Sequence, residues 1–476
     1  MAISYERLSI RDARARSWLS SPTAILITMC LGVLLAQLDS TVVYLGLKHI
    51  GADLRASISQ LQWVLDAYNL VYATFLLSGG ALGDLYGRRR VFACGIALIV
   101  AGSLICAFAP NGAVLIAGRA VAGLGAALEL PTSLAILAVT YHDTAERGRA
   151  LGIWASCNGL AIAIGPTIGG FLVDSVGWRS IFFLSVPVGL LALALGYLRV
   201  PESRHPQGRH LDPIAQVLVV IAVGALSFVT IEGQHFGWTS PVILATAAVA
   251  VAGAIAFVAF ETDRSGAMIP LDIFRNRAFD AGLAVAGLMT FGIYSMLFLT
   301  PLYLQSVIGA SAFAAGLDLL PLSIVYIVVS QCSGALMTRF GARVMLVGGM
   351  SLMGGGLLCL AAVAPAANMW TVEAALVIIG VGLGLNTGPV NAVAVAAVPA
   401  ARSGTASGLL NTARMVGATL GIAVLGAIYA AFAHGDAPQG MLDGMRWALL
   451  GGGLGELGGA LIALIFTRAS SMVQHT

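Results

Sequence analysis

The chain has 476 residues, of which 58% are hydrophobic and only 10% are charged. A soluble protein carries about 25% charged residues, so this composition excludes a protein whose whole surface faces water. The lipid bilayer is therefore the expected surrounding medium. The formal net charge of +3 is small and gives no sign of a nucleic-acid partner.

Apolar runs long enough to span a membrane occur fourteen times, counting about 20 apolar residues as sufficient for one helix. In chain order they cover residues 24–46, 62–82, 91–109, 113–135, 150–173, 180–199, 211–232, 239–260, 279–304, 315–337, 343–364, 371–396, 404–432 and 445–467. The run at 404–432 is long enough to contain a break. Merging or splitting one run would move the C-terminus across the membrane, so the count needs independent support.

The positive residues give that support, because they prefer cytoplasmic loops close to the ends of spans. With the N-terminus inside, nineteen arginines fall in inner segments, four positive residues fall in outer segments, and Arg119 and Arg414 lie inside spans. Residues 1–20 lack the features of a cleaved signal peptide, so the first run is expected to stay as a helix. We predict an all-α integral membrane protein with 14 transmembrane helices and with both termini in the cytoplasm.

A short internal repeat divides the chain. Residues 80–89 (GALGDLYGRR) and 334–343 (GALMTRFGAR) share Gly, Ala, Leu, an aromatic residue, Gly and Arg at the same spacing. We predict an N-terminal six-helix bundle over residues 1–200, a two-helix insertion over 201–265 and a C-terminal six-helix bundle over 266–476. Two repeated halves that flank a site near the membrane midplane are typical of secondary transporters.

The first copy of the repeat joins a carboxylate, arginines and glycines at the cytoplasmic end of the second run. Gly80 and Gly87 permit a close approach of helices or a tight turn. Asp84 can accept hydrogen bonds from the N-terminus of a neighbouring helix, and Arg88 and Arg89 can hold that carboxylate. We expect a cytoplasmic gate that holds the two halves together; a plain positively charged loop is the alternative.

Further segments share residues with known transporter motifs. They are residues 38–43 (LDSTVV), 63–68 (WVLDAY), 115–126 (LIAGRAVAGLGA), 165–170 (GPTIGG), 301–305 (PLYLQ) and 407–414 (SGLLNTAR). Together with residues 80–89, they resemble motifs of the major facilitator superfamily, and in particular of its fourteen-span drug:proton antiporters in the quaternary-ammonium and multidrug exporter branch. The resemblance covers nearly the whole chain. It departs from the family pattern at Lys48, where the first-span motif usually ends in proline, at Thr338 and at Glu129.

The resemblance implies the major facilitator fold and a proton-coupled antiporter that exports lipophilic or cationic drugs from a bacterium by alternating access. It implies a transporter rather than an enzyme, driven by the proton gradient without a cofactor or metal. Its expected partners are a drug molecule, protons and the bilayer, and we expect a monomer. A dedicated exporter of one endogenous metabolite or antibiotic is the alternative. The residues that match the fifth-span antiporter motif, expected to seal a helix seam against proton leak, are Gly159, Gly165, Pro166, Gly169 and Gly170.

Ionisable residues inside the spans are the candidates for proton coupling, because a central charge costs about 2.5–3.5 kcal/mol on insertion scales. At a rise of 1.5 Å per residue, Asp39, Asp66 and Arg119 lie within roughly 4–5 Å of the same depth. We predict Asp39 as the main proton carrier and Arg119 as its tuner, with Glu129 as a second proton site or a substrate contact. A permanent Asp39–Arg119 ion pair is the alternative.

The second span carries the predicted substrate contacts. Gln62, Asp66 and Asn69 share one helix face at spacing i, i+4, i+7. An anion with aromatic neighbours favours an organic cation as cargo. Asp318 lies close to the matching depth of the second half. The candidate contacts are Gln62, Trp63, Asp66, Tyr68, Asn69 and Asp318. Arg414 and Glu456, at mid-depth in the last two spans, are candidates for a structural ion pair.

Overall fold

The computed structural model of the protein describes residues 21–205, 211–262, 269, 271–363, 368–399, 402–433 and 438–467. These residues form helices and connecting turns, with no β-strand among them. The predicted cytoplasmic termini, residues 1–20 and 468–476, lie outside the described residues.

Seventeen α-helices make up most of the described part of the chain. The first eight are α1 (Pro22–Thr41), α2 (Val43–Leu54), α3 (Ile58–Tyr86), α4 (Arg88–Ala107), α5 (Gly112–Thr140), α6 (Thr144–Ser175), α7 (Ser180–Phe183) and α8 (Ser185–Arg199). Two helices follow, α9 (Pro213–Phe236) and α10 (Pro241–Glu261). After a 3-10 helix at Leu271–Arg275, the last seven are α11 (Arg277–Ser306), α12 (Ala312–Asp318), α13 (Leu320–Phe340), α14 (Ala342–Val363), α15 (Met369–Ala396), α16 (Ser403–Phe432) and α17 (Pro438–Phe466).

Thirteen segments of the described chain are helices long and apolar enough to cross a membrane. With 29 residues, α3 is long enough to be the fourteenth span, although it buries the polar residues Gln62, Asp66 and Asn69. The first span is interrupted at Val42, between α1 and α2. The span at 404–432, which was long enough to contain a break, is one continuous helix of 30 residues, α16.

The same helix packing occurs twice in the molecule. In the first half, α5 packs against α3 and α4, α8 packs against α4, and α1 contacts α6 and α8. In the second half, α15 packs against α13 and α14, α17 packs against α14, and α11 contacts α16 and α17. The two halves meet where α3 contacts α16 and where α6 contacts α12 and α13. The division at residues 200 and 265 stays a prediction.

Two helices of the first half, α3 and α5, touch through their backbones. A Cβ atom on Gly79 would overlap the carbonyl oxygen of Ala127, so only glycine permits this approach. A Cβ atom on Gly80 would lie 3.6 Å from Cβ of Pro131, an ordinary van der Waals contact. Because Pro131 has no N–H, the carbonyl of Ala127 lacks its usual i+4 donor. The backbone of α3 covers that oxygen.

Of the two helices between the halves, α9 lies on the seam formed by α3 and α16. α9 packs against α3, α16 and α10. Gln216 Nε2 donates to the carbonyl of Thr74 at 2.9 Å, and the Ser78 hydroxyl donates to Gln216. Toward the other end of α9, Trp63 Nε1 donates to Glu232 Oε1 at 2.9 Å. The insertion is therefore hydrogen-bonded to the N-terminal half at two levels.

Candidate functional site

Asp39 and Arg119 lie together in the interior of the N-terminal half. Arg119 Nη1 is 2.7 Å from Asp39 Oδ2, and each side chain is only 1% exposed. Arg119 Nε donates to the carbonyl of Val64 at 3.1 Å. The hydroxyls of Ser103 and Ser185 donate to Asp39 Oδ1 at 2.7 and 3.0 Å. Both oxygens of the carboxylate therefore have partners in this conformation.

Tyr68, predicted as a substrate contact, belongs to the same cluster. The guanidinium carbon of Arg119 lies 4.4 Å from the centroid of the Tyr68 ring. The Tyr68 hydroxyl donates to the carbonyl of Ala36 at 2.9 Å. Tyr68 thus holds Arg119 against the first span. Sequence reasoning missed Ser103 and Ser185, because single hydroxyl residues are common within apolar runs.

Glu129 is completely buried in the same half, ten residues after Arg119 on α5. A Cβ atom on Gly32 would come within 2.5 Å of Glu129 Oε1, and Phe92 packs against the same point. Tyr72 of α3 is a further neighbour. The nearby Ser133 hydroxyl donates to a backbone carbonyl at 2.8 Å. Within the described residues, neither carboxyl oxygen of Glu129 has a hydrogen-bond partner.

Asp66 does not join the ion pair at Arg119, although the two residues lie at similar depth. It faces the seam between α3, α9 and α16, where the hydroxyls of Ser227 and Thr419 are its neighbours. Its side chain is fully buried, and neither oxygen forms a regular hydrogen bond to the described residues. Gln62, one turn away, donates through Nε2 to the carbonyl of Ile422 at 3.1 Å.

The remaining predicted substrate contacts lie in different places. Trp63 contacts α9. Asn69 is 2% exposed and interacts with the hydroxyl of Tyr44. Asp318 is half-buried where α12 ends, and Glu373 of α15 is its charged neighbour. The six predicted contacts therefore have different neighbours, and their role in binding cargo stays a prediction.

The centre of the molecule holds a cation among three tyrosines. Arg414 of α16 has Tyr72 of α3, Tyr294 of α11 and Tyr326 of α13 as neighbours. These four side chains are called the Arg414 cluster below. The guanidinium Nη2 lies 3.5 Å from the carbonyl oxygen of Thr387, and Nε has no hydrogen-bond partner among the described residues. The sequence did not indicate that these three tyrosines lie near Arg414, because they belong to three separate apolar runs.

The suggested ion pair between Arg414 and Glu456 is not formed in the described part of the chain. The Glu456 carboxyl lies against Gly292 of α11, where a Cβ atom would overlap it. Both oxygens of Glu456 are buried without a hydrogen-bond partner in that part. The sequence prediction rested on the similar depth of the two residues. In the structure, the rotation of α17 about its axis turns Glu456 toward α11.

The predicted cytoplasmic gate is hydrogen-bonded to the segment that follows α8. Gly87 ends α3 with a φ of +110°, a conformation that favours glycine. Arg88 Nη2 is 2.7 Å from Asp84 Oδ1. The backbone N–H of Arg89 donates to Glu202 Oε1 at 3.1 Å. These contacts join the first half to itself and to the segment that follows it, and a gate that joins the two halves stays a prediction.

Asp272 and Arg402 form an ion pair before the first and sixth helices of the second half. The hydrogen bond from Arg402 lowers the pKa of the Asp272 carboxyl. Both side chains are about half exposed, so solvent screens the pair and it adds little stability.

The glycines of the predicted antiporter motif lie on two faces of α6. Gly165 and Gly169 pack against the break in the first span, where a Cβ atom on Gly169 would be 2.7 Å from the carbonyl oxygen of Val42. Gly170 faces the other half, and a Cβ atom there would overlap the carbonyl oxygen of Ala312. The rest of the motif continues this surface, with Pro166 against Gly316 and Gly159 beside Tyr326.

Polar contacts also join the two halves at the C-terminal end of α6. This end of the molecule is called the Asp174 end below. The Asp174 carboxylate accepts hydrogen bonds from the backbone N–H groups of Ala312 and Phe313, at 3.1 and 2.8 Å. An anion at a helix N-terminus is favourable because the dipole is positive there. Lys48, the departure from the family pattern, donates to the carbonyl of Gln305 at 2.6 Å.

At the opposite end, which carries Asp84, the glycines of α6 and α13 face open space. Cβ atoms on Gly148 and Gly152 of α6, or on Gly334 of α13, would meet nothing within 4 Å. The molecule is therefore closed at the Asp174 end.

Asp174→Asn is expected to weaken closure at the Asp174 end. Hydrogen bonds to a charged group contribute about 1.5–3 kcal/mol, so losing the charge should cost the closed state about tenfold in population. The measurement is the reactivity of a Thr167→Cys variant, without its native cysteines, toward a membrane-impermeant maleimide. Asp53→Asn is the matched control, because Asp53 pairs with Arg179 inside the first half. Equal reactivity in both variants would contradict a role for Asp174 in closure.

Known proteins share this sequence over most of its length. The profile of the Major Facilitator Superfamily matches residues 29–422. Multidrug resistance protein Stp of Mycobacterium tuberculosis (strain CDC 1551 / Oshkosh) is 39% identical over 412 residues, covering 86% of this chain and 76% of that protein. Methylenomycin A resistance protein of Bacillus subtilis (strain 168) is 34% identical over 410 residues, with coverages of 86% and 88%.

A third relative is the multidrug efflux pump LfrA of Mycolicibacterium smegmatis, 32% identical over 428 residues, covering 90% of this chain and 84% of the pump. The matched segment includes Asp39, Arg119, Glu129 and Arg414. The twofold helix packing and the thirteen apolar spans agree with a membrane transporter rather than an enzyme. On this evidence, the chain belongs to the Major Facilitator Superfamily.

Proposed function

We propose that the protein is a proton-coupled antiporter that exports lipophilic drugs across the cytoplasmic membrane by alternating access. The relatives named for multidrug resistance, antibiotic resistance and efflux support drug export. The observation that carries proton coupling is Glu129, a completely buried carboxyl without a hydrogen-bond partner in the described chain.

An unpaired ionised carboxylate is far more costly in an apolar interior than the neutral acid. Glu129 is therefore suited to hold a proton in the closed Asp174-end conformation and to release it when its surroundings change. Asp39 differs, because Arg119 and two serine hydroxyls hold its carboxylate. Asp39 would take up a proton only when Arg119 moves away. In this proposal Asp39 remains the main proton carrier, and the position of Arg119 determines when it is protonated.

Alternating access is supported by the contacts between the halves. They are close at the Asp174 end, through Gly170 and the Asp174 carboxylate, and sparse where α6 and α13 approach the Asp84 end. Export requires the reverse arrangement as well. The contacts of α6 with α12 would then separate, while the halves would approach one another beside Asp84.

A dedicated exporter of one endogenous compound is the second candidate function. Arg414 favours it over a pump for organic cations, because a guanidinium at the centre repels cationic cargo. Asp66 and Asp318, on which the expectation of cationic cargo depends, lie away from Arg414 in different helix contacts. A cation pump would need these carboxyls to become exposed during transport.

The test uses the full chain in proteoliposomes with an imposed pH gradient and a panel of lipophilic drugs. We expect uphill drug movement that needs the gradient and stops when a protonophore dissipates it. Glu129→Gln, which keeps the shape but cannot ionise, should reduce gradient-driven movement to the level of protein-free liposomes. It should retain drug-for-drug exchange, which needs no net proton movement. Uphill transport by the unaltered chain without any proton gradient would refute the proposal, and the number of drugs moved separates the two candidate functions.

A further inference from the structure

We propose that the Arg414 cluster is the cargo site and that it selects planar aromatic compounds bearing carboxylate, phenolate or carbonyl oxygens over organic cations. The inference rests on the proposed export function and names its substrate class. It differs from the sequence expectation of a cationic cargo held by Asp66.

The charge of the cluster is the first argument. A guanidinium has five N–H donors and no acceptor, so it needs oxygen partners to be satisfied. In the described chain, Arg414 has no carboxylate partner, its Nε lacks any hydrogen bond, and Nη2 has only a long contact of 3.5 Å with Thr387. The buried Glu456 carboxyl, which could have neutralised it, faces Gly292 instead. The oxygens of a ligand would supply the missing partners.

The tyrosines give the second argument. Tyr72 and Tyr294 lie on α3 and α11, which pack against α16, and together with Tyr326 of α13 they interact electrostatically with Arg414. Aromatic faces pack favourably against flat rings, and a phenol can donate a hydrogen bond to a ligand oxygen. A planar aromatic molecule with an oxygen acceptor therefore matches both the shape and the polarity of the cluster.

The position of the cluster gives the third argument. Tyr72 belongs to the first half, whereas Arg414 and the other two tyrosines belong to the second half. A site shared between the halves changes shape when they rock against each other, as export requires. Tyr72 is also a neighbour of Glu129, so the cargo site and the proposed proton site share one side chain.

The experiment measures binding to the purified full chain in detergent with two xanthene dyes, anionic fluorescein and cationic rhodamine 123. We expect the unaltered chain to bind fluorescein more tightly. Arg414→Gln should weaken fluorescein binding by about tenfold, which corresponds to about 1.4 kcal/mol, and should leave rhodamine 123 binding unchanged or tighter. Tyr326→Phe, which removes one hydroxyl only, should weaken fluorescein binding several-fold and spare rhodamine 123.

Arg402→Gln is the matched control, because Arg402 precedes the same helix and pairs with Asp272 at the surface. It should leave both dyes unaffected. If Arg414→Gln does not fold, Tyr294→Phe and Tyr326→Phe decide the question by the same selectivity. Tighter binding of rhodamine 123, or an equal loss of both dyes in every cluster variant, would overturn the proposal. Binding in detergent needs no proton gradient, so this failure is distinct from a failure of proton coupling.

Discussion

The double variant Asp39→Asn with Arg119→Met is expected to regain the stability that Asp39→Asn alone loses, but not proton-coupled export. Arg119 is 1% exposed, so the single variant leaves a buried guanidinium without its carboxylate. Removing one partner of a buried pair costs about 3–5 kcal/mol, whereas replacing both partners by neutral groups is often nearly neutral. The measurements are the thermal unfolding midpoint in detergent and drug export driven by a pH gradient.

This pair of measurements separates the two interpretations of Asp39. A permanent structural ion pair predicts that the double variant recovers both stability and coupled export. A proton carrier predicts that only stability recovers. Asp53→Asn with Arg179→Met is the control, because that pair is exposed and its loss should change neither readout strongly.

Gly170→Ala is expected to prevent closure at the Asp174 end and to reduce export severely. The added methyl group would overlap the carbonyl oxygen of Ala312, which is backbone and cannot rotate away. Overpacking of this kind costs about 1–3 kcal/mol, and here the whole cost falls on the closed state. The measurement is the export rate together with the maleimide reactivity of Thr167→Cys, which should rise.

Gly152→Ala is the matched control on the same helix. A Cβ atom at Gly152 meets nothing within 4 Å, so this change should leave export intact. Both variants gain about 1 kcal/mol of helix propensity, so a general effect on α6 would appear in both. Export by Gly170→Ala at the rate of Gly152→Ala would show that tight closure at Ala312 is unnecessary.

The sequence indicates which ionisable residues lie at similar positions along neighbouring spans, but not the direction in which they face. Depth follows from counting residues along a span, and on that basis Asp39 and Arg119 were expected to meet, as they do in the structure. Asp66 lies at a similar depth, yet it points toward α9 and α16. Rotation of a helix about its axis depends on all its neighbours, and few polar residues mark that rotation when nearly every face is apolar.

The helices were predicted more closely than the interruptions and contacts within them. Long apolar runs identify helices by composition alone, and they located α16 and the insertion closely. The interruption at Val42 had no signal, because neither proline nor glycine stands beside it and β-branched residues occur throughout the spans. The polar contacts of Lys48 and Asp174 join residues far apart in sequence, so no local pattern could indicate them.

The backbone contact between Gly79 and Ala127 constrains how the first half can move. If α3 slid along α5, a residue with a side chain would be pressed against the Ala127 carbonyl oxygen, where even a Cβ atom at Gly79 would overlap. The second and fourth spans must therefore keep their alignment throughout the transport cycle. The first half would turn as a rigid block, and sliding would be restricted to the boundaries between the halves, where α3 contacts α16 and where α2 and α6 contact α11, α12 and α13.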